Sequence, residues 1–98
     1  MARILVIGAG IAGLTAAHRL RTAGHEVVVL ERNPYPGGRM STEMRGGFTV
    51  DRGAQFIASS YKNLHAMVQE LGLTDRLRIV ERTNNAMLRD GRLHAGDY

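Results

Sequence analysis

The 98-residue sequence contains no cysteine and no tryptophan, and it has only two prolines, three tyrosines and two phenylalanines. Without cysteine the chain cannot form a disulfide framework, a thiolate metal site or a cysteine nucleophile. This composition is compatible with a cytoplasmic location, which we expect. No apolar run approaches the roughly 18 residues of a membrane span, so no membrane segment is predicted.

Blocks of like charge are also missing. The sequence has 13 basic and 9 acidic residues, for a net charge of +4, and the basic residues are scattered along the chain. Scattered arginines are typical of solvated surfaces rather than of a nucleic-acid groove, so no nucleic-acid partner is expected. With 44% hydrophobic and 22% charged residues, the composition is that of a soluble globular protein, and the length allows one small domain at most.

The main pattern in the sequence lies near the beginning of the chain. An apolar run at residues 4–7 leads directly into Gly8-Ala9-Gly10-Ile11-Ala12-Gly13, and a second apolar run at residues 27–30 is followed by Glu31. The spacing predicts a strand over residues 1–7, a helix over residues 12–23, and a second strand ending at an acid. The continuous apolar run of the first strand predicts a central parallel strand that is covered on both faces. The fold class is therefore α/β, beginning with a Rossmann-like βαβ unit.

Each glycine of this pattern has a separate expected role. Gly8 allows a tight turn, Gly10 lets the backbone approach a pyrophosphate, and Gly13 lets the helix lie close to the strand. Glu31 follows Gly13 by 18 residues, near the spacing of about 20 expected for the acid that binds ribose hydroxyls. The pattern favours the ADP half of FAD or NAD over NADP. The alternative is a βαβ unit whose glycines only tighten a turn.

An irregular loop is predicted after Glu31. Residues 32–39 contain both prolines and the pair Gly37-Gly38, followed by Arg39. The glycines allow close approach of the backbone to another group, and the Arg39 guanidinium could reach a second side of the same pyrophosphate. An ordinary surface turn with a solvated arginine explains the loop equally well.

Further elements are predicted from turn residues and apolar spacing. A β-hairpin is expected over residues 40–45 and 48–50, turned by Gly46-Gly47. The small Gly53 and Ala54 after it could lie beside a flat ligand or simply form a corner. A helix is predicted over residues 61–71, with Ser59 or Ser60 as its cap and Gly72 at its end. Strands are predicted at 77–81 and 87–94, with a turn at Asp90-Gly91, and Asn84 and Asn85 are predicted to lie in a loop.

The order of these motifs resembles the N-terminal region of FAD-dependent oxidoreductases of the flavin amine oxidase superfamily. This group includes amine oxidases, protoporphyrinogen oxidases, phytoene-desaturase-type enzymes and renalase-like proteins. The resemblance is closest over residues 3–56, and it is carried by the motifs Val6-Ile7-Gly8-Ala9-Gly10-Ile11-Ala12-Gly13-Leu14, Glu31-Arg32, Gly37-Gly38-Arg39 and Asp51-x-Gly53-Ala54-Gln55-Phe56.

The resemblance implies FAD as the cofactor, because Gly-Gly-Arg after the ribose acid is typical of this flavin group and absent from ordinary NAD dehydrogenases. It places the pyrophosphate on the backbone of Ile11 and Ala12, the adenosine ribose on Glu31, and the phosphate region beside Arg39. The cofactor-binding residues that it implies are Gly8, Gly10, Ile11, Ala12, Gly13, Glu31, Arg32, Gly38, Arg39, Gly53, Ala54, Gln55 and Phe56, with Arg32 at the edge of the adenosine pocket and residues 53–56 near the flavin.

The resemblance also implies an activity, the two-electron oxidation of a C–N or C–C bond by flavin, with oxygen or a quinone as the final acceptor. Members of the group have several hundred residues and a substrate domain, and the last residues of this sequence, 95–98, carry no helix-capping or domain-closing signal. We therefore expect an incomplete FAD-binding domain, with a βαβ core at 3–31, the Gly-Gly-Arg loop and hairpin at 32–56, and a helix and strands at 57–98.

No side chain in the sequence is predicted to be catalytic, and no metal site is expected. A small-molecule substrate would bind through segments outside this sequence. Two other hypotheses are an NAD-binding half-domain of a dehydrogenase and a truncated remnant that serves only as a partner module.

Overall fold

The computed structural model of the protein describes residues 1–80 and 85–96. These residues form two compact units, Met1–Ile57 and Ala58–Tyr98, which are described separately. Within the described residues, neither α-helix has the length and apolar character that crossing a bilayer requires.

The first unit begins with the predicted βαβ arrangement. Strand β1 (Arg3–Ile7) is followed by helix α1 (Ile11–Thr22) and strand β2 (Glu26–Leu30). The two strands are parallel, with Leu5 opposite Val28, and α1 packs against both of them. The predicted order of strand, glycine loop, helix and strand is therefore confirmed, with boundaries within one or two residues of those expected.

Helix α1 ends in a Schellman motif. The N–H of Gly24 donates to the carbonyl of Arg21, and the N–H of His25 donates to the carbonyl of Leu20. These two bonds satisfy carbonyl groups of the last turn that have no partner within the helix. The helix therefore ends just before Gly24, as predicted, and the chain turns directly into β2.

The β1–β2 sheet differs from the sequence-based expectation in one respect. The apolar run of β1 predicted a strand covered on both faces, but the residues Leu5 and Ile7 are 60% and 77% exposed. Helix α1 covers the face that carries Val6, whose Cγ1 would lie 3.4 Å from a Cβ at Gly13. Among the described residues β1 pairs with β2 alone, and no element of the first unit packs on the face that carries Leu5 and Ile7.

A β-hairpin completes the first unit. It consists of strands β3 (Thr42–Arg45) and β4 (Phe48–Asp51), which pair antiparallel. Gly46 and Gly47 both have positive φ, as a type I′ turn requires, which confirms the predicted turn. The first strand begins later than residue 40 because Gly38–Met40 form a 3₁₀ helix.

The second unit contains helix α2 (Lys62–Glu70), a 3₁₀ helix (Thr74–Arg76) and the antiparallel strands β5 (Asn85–Arg89) and β6 (Arg92–Gly96). The turn at Asp90 and Gly91 is confirmed, since both residues have positive φ. Gly72 follows Leu71, the C-cap residue of α2, and its N–H donates to the carbonyl of Gln69.

Three predictions for the second unit are wrong. The N-cap of α2 is Tyr61 rather than Ser59 or Ser60, and it makes no side-chain capping bond. Residues 77–80 form no strand, because no other strand in the described part pairs with them. Asn85 begins β5 instead of lying in a loop. Glu81 and Asn84 lie outside the described residues.

Candidate functional site

The loop that joins β1 to α1 brings helix and strand unusually close. A Cβ atom added to Gly13 would overlap the carbonyl oxygen of Gly8. Any side chain at this position would push α1 away from the end of β1. Gly8 itself has φ +96°, a conformation that glycine adopts at no steric cost, and its N–H donates to the carbonyl of Leu30 at 2.7 Å.

The N-terminus of α1 is free of side-chain caps. Gly10 is the N-cap residue and cannot offer a side-chain oxygen, and the first turn contains no acidic residue. The first N–H groups of a helix have no partner within the helix, and the positive end of the helix dipole lies at the same point. This terminus is therefore suited to a phosphate or another anion.

Glu31 lies directly beside this loop. Its Oε2 accepts a hydrogen bond from the N–H of Ala9 at 2.7 Å, and its Oε1 accepts one from the N–H of Asn33 at 2.9 Å. The bond from Ala9, followed by that from Asn33, holds the pKa of the Glu31 carboxyl below its usual value. The group is therefore ionised at neutral pH, next to the helix N-terminus where the sequence predicts a ribose acid.

The second glycine loop packs against the first through the backbone. The N–H of Gly37 donates to the carbonyl of Ala9 at 2.7 Å, and Gly37 and Gly10 form an isolated parallel bridge. A Cβ at Gly38 would lie 3.3 Å from the Cα of Gly10. The close approach expected of Gly37-Gly38 is thus made to the first loop.

A third segment, after β4, lies against the same region. The N–H of Ala54 donates to the carbonyl of Arg39 at 2.9 Å, and a Cβ at Gly53 would overlap that carbonyl oxygen. Residues 53 and 54 therefore lie directly against the Gly-Gly-Arg loop, and this contact between two backbone segments leaves no room for a side chain at Gly53.

These three segments line a cavity of about 670 Å³ within the first unit, which is open to solvent on one side. Its volume falls in the range of roughly 300–1,000 Å³ that is usual for ligand sites. Arg39 is the charged residue of its lining. The complete lining is Gly10, Ile11, Ala12, Gly37, Gly38, Arg39, Met40, Gly53 and Ala54.

Seven residues predicted to bind the cofactor thus line one cavity, although they come from three separate stretches of sequence. Gly8, Gly13 and Glu31 do not line it but shape the loop beside it. The other predicted residues, Arg32, Gln55 and Phe56, are absent from the lining, and Phe56 is 69% exposed.

Sequence reasoning left Gly37 and Met40 out of the predicted site. Gly37 was recognisable as half of the glycine pair, whereas nothing in the sequence distinguished Met40 from a core methionine. Within residues 1–80 and 85–96, no group of three histidine or acidic side chains lies close enough together to hold a metal ion.

Comparison with known proteins gives a consistent result. The model of the family of flavin containing amine oxidoreductases matches residues 11–98. The chain is 31% identical to the zeta-carotene desaturase of Synechocystis sp. over 97 residues, which are 98% of this chain and 20% of the desaturase. It is 42% identical to the flavin-dependent L-tryptophan oxidase RebO of Lentzea aerocolonigenes over 80 residues, 78% of this chain and 17% of the oxidase.

A solved structure of wild-type putrescine oxidase bound to putrescine is similar over the whole chain. The TM-score is 0.73 at 29% identity, and the match covers 100% of this chain and 22% of the putrescine oxidase chain. The chain therefore spans about a fifth of the length of these relatives.

Proposed function

Because the chain belongs to the family of flavin containing amine oxidoreductases, we propose that its cavity binds the ADP half of FAD. The family accounts for a flavin. The choice of FAD rests on one observation in particular, the ionised Glu31 carboxylate beside the uncapped N-terminus of α1. FMN has no adenosine ribose and would leave this acid unused.

The residues present fit an adenine dinucleotide. In this proposal the N–H groups at the start of α1, at Ile11 and Ala12, bind the pyrophosphate, and Arg39 neutralises its second side. Glu31 binds the adenosine ribose, with Arg32 at the edge of that pocket. Residues 53–56 lie toward the flavin ring. When bound, the flavin supplies the acceptor for two electrons, and the protein supplies its binding and orientation.

For the whole protein we propose the oxidation of a C–N or C–C bond. The relatives include a desaturase as well as amine and amino-acid oxidases, so the family relationship leaves the bond type open. The chain provides the cofactor site, and we assign no catalytic side chain within it. We further propose a small-molecule substrate bound by other segments and, from the cysteine-free composition, a cytoplasmic location.

Flavin fluorescence provides a direct test. When FAD is titrated with the chain, its fluorescence should be quenched or its fluorescence anisotropy should rise. The change should give a Kd in the range of about 1 μM to 1 mM. ADP should displace FAD, whereas FMN should bind much more weakly because it lacks the adenosine diphosphate part. Equal affinity for FMN and FAD, or no binding of FAD at all, would contradict the proposal.

A further inference from the structure

The side chain of Arg52 contacts three separate segments of the first unit. Its Nη2 donates to Oε2 of Glu43 at 2.8 Å, and its Nη1 donates to Oγ of Ser41 at 3.3 Å. The guanidinium carbon lies 3.8 Å from the centre of the Tyr35 ring. The side chain is 28% exposed. One residue thus connects the loop before the Gly-Gly-Arg 3₁₀ helix, the residue after it, and strand β3.

Ser41 connects Arg52 to the glycine loop. Its side chain is held on both sides, because its Oγ donates to the carbonyl of Gly38 at 2.7 Å and accepts from Arg52. A hydroxyl has one proton to donate, so these two bonds fix its orientation. Ser41 is 7% exposed, and its own carbonyl accepts the backbone N–H of Arg52 at 3.0 Å. Arg52 therefore reaches Gly38 through a single buried residue.

The loop that receives these bonds has little means of ordering itself. Gly37 and Gly38 have φ values of +105° and +57°, and neither has a side chain that could pack. Glycine loses more conformational freedom on ordering than any other residue. Bonds from its surroundings therefore add to the loop's own 3₁₀ hydrogen bonds in holding its conformation, and the Arg52–Ser41 pair supplies one of them, at the carbonyl of Gly38.

We propose that Arg52 is a positioning residue, which holds residues 37–40 in the conformation that presents Arg39 and the Gly38 backbone to the cofactor pyrophosphate. The ligand in this proposal rests on the proposed function. Arg52 does not line the cavity. It acts through Ser41, by charge-assisted hydrogen bonds and by stacking on Tyr35.

Arg45 offers a matched control for this role. It pairs with Oε1 of the same Glu43 at 2.8 Å, but its side chain is 75% exposed. Within the described part of the chain, Arg52 bonds to Ser41 and stacks on Tyr35, whereas Arg45 does neither. Arg52→Met and Arg45→Met remove the same charge from the same carboxylate. Only the first removes the link to the glycine loop.

The affinity of the 98-residue chain for FAD should separate the two variants. We expect Arg52→Met to raise the Kd about tenfold or more, the loss expected for a hydrogen bond to a charged group, and Arg45→Met to change it less than about twofold. Arg52→Lys keeps the charge beside Glu43 and should recover part of the affinity. Equal losses in the two Met variants, or no recovery with Lys, would overturn the proposal.

The amide signals of Gly37 and Gly38 in ¹⁵N NMR spectra of the ligand-free chain provide a second measurement. Arg52→Met and Ser41→Ala should shift or broaden both signals, and Arg45→Met should leave them in place. If circular dichroism shows that Arg52→Met is unfolded, the comparison is made with Arg52→Lys and Ser41→Ala instead. A parent chain that does not bind FAD would contradict the proposed function, whereas unchanged glycine amides in Ser41→Ala would contradict the role of Arg52.

Discussion

Ala9 has no functional side chain, yet its two backbone polar groups connect the parts of the candidate site. Its N–H donates to Glu31 and its carbonyl accepts from Gly37, both at 2.7 Å. The residue is 4% exposed, so these bonds are shielded from competing water. Glu31 therefore has a structural partner in addition to its proposed ligand, because it links the end of β2 to the first glycine loop.

Glu31→Gln should weaken FAD binding by about tenfold, the size expected for losing a hydrogen bond to a charged acceptor. The Gln amide group can keep the bond from Ala9, but its NH₂ end cannot accept from Asn33. Fluorescence titration of the purified variant measures the change. Glu26→Gln, which removes the same charge from a 56% exposed side chain on β2, is the control and should bind FAD like the parent.

The Glu31 carboxylate also predicts how stability depends on pH. Its pKa is lowered in the folded chain by the N–H of Ala9 and then by that of Asn33, below the ordinary value of 4.5. A lowered folded-state pKa contributes stability above pH 4.5 and loses it as the pH falls through the folded value. Urea midpoints of the parent and Glu31→Gln should therefore differ at neutral pH and converge in acid. A constant difference at every pH would contradict this.

At the scale of the element, the two ends of α1 are built differently. The C-terminal end is closed by the Schellman bonds of Gly24 and His25, whereas the N-terminal end begins at Gly10 without a capping side chain. A helix normally gains stability from Ser, Thr, Asp or Asn at the N-cap. The open N-terminus is thus the less stable choice for the helix, and it leaves N–H groups available to an anion.

Gly10→Ser should therefore separate stability from binding. Gly10 has an extended conformation, and a Cβ there meets nothing within 4 Å, so serine fits and can cap the helix. We expect the free energy of unfolding to stay constant or rise by a few tenths of a kcal/mol, while FAD affinity falls because the cap occupies the same N–H groups.

Gly13→Ala is the contrasting variant. Its Cβ would overlap the Gly8 carbonyl, so we expect the free energy of unfolding, measured in urea, to fall by about 1–3 kcal/mol.

If Gly10→Ser bound FAD as tightly as the parent, the pyrophosphate would not lie at this helix terminus.

At the scale of the whole molecule, the β1–β2 sheet leaves an apolar face uncovered. Leu5, Ile7 and Leu30 are 60%, 77% and 48% exposed, which is unusual for the side chains of a parallel sheet. Contiguous exposed apolar surface promotes association. In the described residues each of the two strands also has an unpaired edge.

The isolated chain should therefore self-associate as its concentration rises, and the double variant Leu5→Thr/Ile7→Thr should do so less. Threonine keeps the strand preference of the sequence and removes exposed apolar area. Analytical ultracentrifugation over a concentration series measures the effect. Ile4→Thr/Val6→Thr changes the alternate positions of β1, on the face toward α1, and should lower stability without reducing association. Equal association of the parent and the exposed-face variant would contradict this prediction.

The sequence predicted most of the local structure of the first unit. The βαβ order, the end of α1 at Gly24 and the turn at Gly46-Gly47 all follow from residues close together in the chain. Predictions for the second unit were weaker, because residues 77–80, three of which are apolar, have the composition of a strand but no pairing partner in the described part. Strand formation depends on a neighbour that composition does not reveal.

By itself, the sequence determined which residue types lie at the turns and that an acid ends the second strand, because these features depend on backbone conformations available to a few residues. Three contacts were decided only by the tertiary structure. The backbone of Ala9 binds both Glu31 and Gly37, and Gly53 lies against the carbonyl of Arg39. In the third, Arg52 reaches Gly38 through Ser41. These contacts join residues distant in the chain through hydrogen bonds and close packing, and their geometry exists only after the segments have packed together.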